Sequence, residues 1–107
     1  MMTGAAIERL RPGWRIVEAA SGEEALTAAA ILPPDYALVD VNMPGIGGLV
    51  AAERLRQTYP NAEISLLTAN IQDPVRQQAG RIGVGFLIKP LQESELRLFL
   101  ERERTSP

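Results

Sequence analysis

Three short apolar runs constrain this chain more than any other feature: Tyr36–Asp40, Ala62–Ala69 and Phe86–Ile88. Each is too short for a helix, has few polar interruptions, and is separated from the next by a stretch with helical spacing. Strands read this way when helices cover both faces of a parallel sheet. The alternation therefore predicts an α/β fold with the strands in parallel.

The helical stretches carry their own start and stop signals. Residues 1–10 read as a helix with Ala6, Ile7 and Leu10 on one face, ended by Pro12-Gly13. Arg15–Ala20 reads as a further short strand. Ser21-Gly22-Glu23-Glu24 has capping-box form: the serine hydroxyl can accept an early helix N–H, and Glu24 can reach back. The Ala-rich helix that follows runs to Leu32, where Pro33-Pro34 stops it. After a turn-rich stretch from Asn42 to Gly48, Leu49–Tyr59 is a helix with Leu49, Ala52, Leu55 and Tyr59 on one side. Asp73-Pro74 is a cap and first-turn pair, opening a helix with Val75, Ala79 and Ile82 inward. The last helix spans residues 91–103 and faces inward through Leu96, Phe99 and Leu100. The expected fold has four strands and about five helices in one domain, residues 1–107, with no room for an output domain.

Composition removes several chemistries. The chain has 107 residues, no cysteine and no histidine, so disulfides, thiolate nucleophiles and imidazole bases are excluded. A net charge of −2 without a Lys/Arg cluster argues against nucleic-acid binding. No apolar run approaches the roughly 18 residues of a membrane span, and no signal-peptide pattern opens the chain. A cytoplasmic setting is expected, with no membrane partner.

Ligands of parallel α/β sheets bind beyond the carboxyl ends of the strands. Asp40, Thr68 and Lys89 occupy those ends. A carboxylate that can attack phosphorus, with a hydroxyl and an ammonium to hold phosphoryl oxygens, suits phosphoryl transfer. Taken singly, each has a plainer reading: Asp40 as a turn cap, Thr68 as a β-prone residue, Lys89 as a surface charge.

The local motifs favour the joint reading. Asp40-Val41-Asn42-Met43-Pro44-Gly45-Ile46-Gly47-Gly48 resembles the D-x-x-M-P-x-x-x-G phosphoacceptor signature of response regulator receiver domains. Leu67-Thr68-Ala69 resembles their switch segment, and Phe86-Leu87-Ile88-Lys89-Pro90 their aromatic-x-x-K-P segment. Val17–Leu26 is similar to their second strand and second helix, so the resemblance covers essentially the whole chain. It implies a flavodoxin-like fold and two-component signalling. Asp40 would take a phosphoryl group from a histidine kinase or phosphotransfer protein, Thr68 would swing toward the acyl phosphate, and Lys89 would bridge to it. Phe86 would move between outward and inward positions, or serve simply as core. Lys89-Pro90 would be a cis peptide, and the main-chain carbonyl of Asn42 would join Asp40 in holding Mg²⁺. The face made by the fourth helix, last strand and last helix would bind partners. The only covalent chemistry implied is phosphorylation and dephosphorylation at Asp40.

The chain departs from the family at its start, where a strand ending in two magnesium-binding acids is expected. No acid precedes Glu8, which lies within a helix. Two consequences are expected: impaired Mg²⁺ binding, because Asp40 and one carbonyl make a poor site, and an open sheet. Either the Arg15–Ala20 strand slides in beside Tyr36–Asp40, or a second copy of the chain fills the gap; a homodimer is favoured. Alternatively, the protein begins further upstream. The competing function is a pseudo-receiver, a phosphorylation-independent interaction or dimerisation module. A hydrolase of the haloacid-dehalogenase type also uses a strand-end aspartate, but Asn42 stands where its second aspartate belongs.

Overall fold

A computed structural model describes residues 3–69 and 73–102, with the side chains of residues 3–6 and 73 outside that description. The elements are α1 (Thr3–Leu10), α2 (Gly22–Ile31), β1 (Tyr36–Asp40), α3 (Gly48–Thr58), β2 (Glu63–Thr68), α4 (Asp73–Ile82), β3 (Gly85–Ile88) and α5 (Glu93–Leu100). The strands form one parallel sheet in the order β1-β2-β3. The expected inward Ala6, the Asp73 cap and the end of the last helix at residue 103 lie outside the described residues.

Side-chain alternation along β2 divides the interior in two. Ile64 and Leu66 face a core built with Val39, Ala51, Ala52, Leu55 and Ala79, beneath α2, α3 and α4. Leu67 faces the other way, onto Leu87, Leu96, Phe99 and Leu100, where Ile7 and Leu10 of α1 and Leu91 also pack. The central strand is thus buried on both sides, which explains its continuous apolar run. Ser65, also buried, accepts a hydrogen bond from Arg102 Nη1 at 3.3 Å, which satisfies it.

Local signals account for most helix boundaries. Ser21 Oγ accepts the Glu24 N–H at 3.1 Å, the serine half of the expected capping box. At the far end of α2 the Leu32 N–H donates to Ala28 O at 2.9 Å before Pro33 and Pro34 prevent continuation.

One expected element is absent. Arg15–Ala20 is not a strand: it pairs with neither β1 nor any other described strand, so the sheet has three strands rather than four. The segment therefore does not slide in beside Tyr36–Asp40 either. Its sequence is strand-like, but a strand exists only through a ladder, and none reaches it. Val17 is 55% exposed as a result. Trp14, just before it, instead stacks on Tyr36 with ring centroids 5.1 Å apart.

The open side of the sheet is the outer edge of β1. Asp35 O accepts the Glu63 N–H, and the Val41 N–H donates to Leu67 O, so alternate residues of β1 face β2. Tyr36 and Leu38 consequently turn their main-chain groups to the opposite edge, where no described strand pairs with them.

Candidate functional site

Asp40, Thr68 and Lys89 stand at the carboxyl ends of three adjacent strands. Register sets Asp40 beside Leu67, and Thr68 beside Ile88, the residue before Lys89. Ladder-type bonds continue past the strand ends: the Val41 N–H donates to Leu67 O at 2.9 Å, and the Lys89 N–H to Thr68 O at 2.7 Å. This holds the backbone of all three residues at one rim. Lys89 Nζ lies 2.5 Å from Asp40 Oδ2. Thr68 is buried between them at the end of the central strand, 3% exposed.

Asp40 is held at both oxygens, because the Asn42 N–H donates to Oδ1 at 2.9 Å. Partial burial pushes its carboxyl upward. The hydrogen bond from Lys89, the Asn42 N–H and the Lys89 charge together outweigh that effect, so the group titrates below its ordinary value of 3.8. It is therefore an anion at neutral pH. Its side chain is 36% exposed and that of Lys89 26%, so both are reachable from solvent.

The loop after Asp40 is fixed by close backbone approach. The Met43 N–H donates to Asp40 O at 3.3 Å, and the Gly48 N–H to Val41 O at 3.4 Å. A Cβ on Gly48 would collide with the Asp40 carbonyl, which is why glycine opens α3 here. The centre of the loop rests on the start of α2, a connection that sequence reasoning missed. Glu23 Oε1 accepts the Ile46 N–H at 2.9 Å, and the Gly22 N–H donates to Pro44 O at 3.1 Å. No local pattern could reveal a contact spanning 23 positions.

The remaining site residues lie nearby in the fold. Phe86 on β3 is half-buried against the first core, with the Arg76 guanidinium 5.5 Å from its ring centroid. Lys89-Pro90 is a cis peptide, as the motif implied, and Pro90 is exposed.

A divalent-metal site needs several oxygen donors, usually with more than one carboxylate when the cage is all protein. Among the described residues no group of three acids is close enough to hold a metal ion. Both oxygens of Asp40 are already engaged, one of them by a cation. At this rim Asp40 supplies the carboxylate that a magnesium ion would meet, with the Asn42 main-chain carbonyl as the companion donor the motif implied. Among the described residues no helix is long and apolar enough to cross a membrane.

Comparison with known proteins agrees with this geometry. The chain is 37% identical over 93 residues to the positive alginate biosynthesis regulatory protein of Pseudomonas aeruginosa, covering 84% of this chain and 37% of that protein. It is 44% identical over 69 residues to the response regulator GacA of Pseudomonas viridiflava, covering 62% of this chain and 32% of the relative. It thus spans about a third of the length of these curated relatives. Among solved structures, the chemotaxis protein CheY4 of Vibrio cholerae superposes with a TM-score of 0.84 at 28% identity, over 95% of this chain and 86% of that one. The receiver domain of a sensor histidine kinase from Pseudomonas aeruginosa, which has a magnesium ion coordinated in its active-site cleft, superposes with a TM-score of 0.80 at 28% identity, over 94% and 84% of the two chains. The response regulator receiver domain family matches residues 2–101, and the chain belongs to that family.

Proposed function

We propose that this chain is a phosphorylatable receiver whose acceptor is Asp40 and whose donor is the phosphohistidine of a histidine kinase or phosphotransfer protein, in the cytoplasm. The observation that carries the reading is the 2.5 Å contact between Lys89 Nζ and Asp40 Oδ2 at a solvent-reachable strand end. An ionised carboxylate oxygen attacks phosphorus, the new P–O bond forms as the donor's P–N bond breaks, and the electron pair leaves on the imidazole nitrogen. Lys89 is then already placed to follow the developing charge onto the phosphoryl oxygens. The Thr68 hydroxyl is the proposed second contact to the acyl phosphate, and Phe86 the residue whose ring reports its arrival. The chain acts as a signalling module rather than as a catalyst with turnover. Magnesium binding through Asp40 and the Asn42 carbonyl is proposed to be weak, leaving Lys89 as the principal cation at the site.

Incubation with acetyl phosphate followed by intact-mass measurement tests this. One phosphoryl group is expected on the wild-type chain, none on Asp40→Asn, and a rate lower by about a hundredfold in Lys89→Ala. A mass gain that persists in Asp40→Asn would refute the assignment. Adding magnesium is expected to change the wild-type rate little.

A second reading, a dimerisation module, is favoured by one observation. A groove of about 470 Å³ separates residues 15–19 from β1, lined by Val17, Ala28, Leu38 and Phe99 among others, and it opens onto both cores. Because the edge of β1 offers main-chain donors and acceptors, a strand from a second copy is the proposed occupant. Sedimentation at micromolar concentration tests this second reading: it expects a mass of two chains, and a mass of one chain would eliminate it.

A further inference from the structure

We propose that Glu23 is a positioning residue for the Asp40 loop: its carboxylate clamps the middle of that loop to the start of α2 and so keeps the Asn42 N–H on Asp40. The loop runs from Val41 to Gly47 and is tied to the rest of the chain at few points. Its two ends are closed by the Met43 N–H to Asp40 O and the Gly48 N–H to Val41 O. Between them, Glu23 Oε1 accepts the Ile46 N–H at 2.9 Å, and the Gly22 N–H donates to Pro44 O at 3.1 Å.

Two further features indicate a fitted contact rather than a chance one. Gly45 has φ +80°, and a Cβ there would collide with the Glu23 carboxylate, so the loop leaves room for that group. The Ser21 cap meanwhile fixes the first turn of α2, from which Glu23 projects. Consistent with the hydrogen bond, the Ile46 N–H holds the Glu23 carboxyl below its ordinary range. Glu23 is exposed and its carboxylate is engaged by the loop's Ile46 N–H, so the role assigned to it runs through the loop and not on the phosphoryl group.

As far as it concerns phosphoryl transfer, this inference rests on the function proposed above, but the clamp can be read without it. Amide hydrogen exchange by NMR on the full chain compares Glu23→Ala, Glu23→Gln and the neighbouring Glu24→Ala. In Glu23→Ala, Ile46 and Asn42 are expected to lose protection by about three- to tenfold, with the core amides of β2 unchanged. Glu23→Gln keeps an acceptor oxygen and should restore most of that protection, while Glu24→Ala should leave it as in wild type. Gly45→Ala displaces the carboxylate sterically. Its effect should therefore shrink in the Glu23→Ala background, the strain of its positive φ being common to both and cancelling in the cycle. Strict additivity, or unchanged exchange at Asn42 in Glu23→Ala, would overturn the clamp.

The acetyl phosphate rate supplies the second readout. If the wild type is labelled at Asp40, Glu23→Ala should slow labelling severalfold and Glu23→Gln should recover it; equal rates in all three would overturn the positioning role. If the wild type is not labelled, the functional reading fails, and the exchange data still decide the clamp.

Discussion

At the scale of single residues, the site is governed by one cation on one carboxylate. With its folded-state value below 3.8, Asp40 contributes stability that is fully present above its unfolded value and is lost as pH falls through the folded one. The wild type should accordingly weaken as pH drops from about 5 toward about 2, and Lys89→Met should flatten that limb. Urea midpoints measured across this range check the sign; equal slopes would mean that Lys89 does not depress Asp40. Gly48 makes a separate prediction. Since a Cβ would meet the Asp40 carbonyl, Gly48→Ala should cost about 2 kcal/mol or more, again read by urea unfolding. The motifs made Asp40, Lys89 and Pro90 legible because each sits at a fixed offset from an apolar run. Glu23 was not legible, because its partner lies in another element.

At the scale of elements, the three apolar runs became strands with boundaries shifted by at most one residue, and the helices began and ended near their caps and prolines. Burial on both faces fixes such runs whatever their neighbours do. Arg15–Ala20 had the same local preference and failed to become a strand, since β propensity only expresses fit to a pleated, partnered surface. The contrast is measurable by chemical denaturation. Phe99→Ala, which empties a side chain 1% exposed, should cost about 3–5 kcal/mol. Val17→Thr, in the unpaired segment, should stay within about 0.5 kcal/mol of wild type. A large loss at Val17 would show that this segment is held by contacts not expected of an exposed one.

At the scale of the whole molecule, the Cα radius of gyration is 12.8 Å, near the ~13 Å expected for a compact domain of this length. The open edge of β1 is therefore accommodated without expansion. Compactness was legible from the apolar fraction of the sequence; the groove was not, because a gap between two segments has no residues of its own. Exchange should be slowest at Leu66 and Leu67, buried on the central strand and within both its ladders, and faster at Tyr36 and Leu38, whose N–H groups face the unpaired side. Equal protection along β1 and β2 in dilute protein would show that the edge is covered.

Trp14 is the chain's sole tryptophan. It is 39% exposed and stacks on Tyr36 where the groove begins. The protein thus has a native optical reporter in the lining of the groove beside β1. Occupation of the groove should exclude water from the indole and shift its emission to the blue. Steady-state fluorescence on an unlabelled sample can therefore follow the filling of that groove directly, as concentration or added strand is varied.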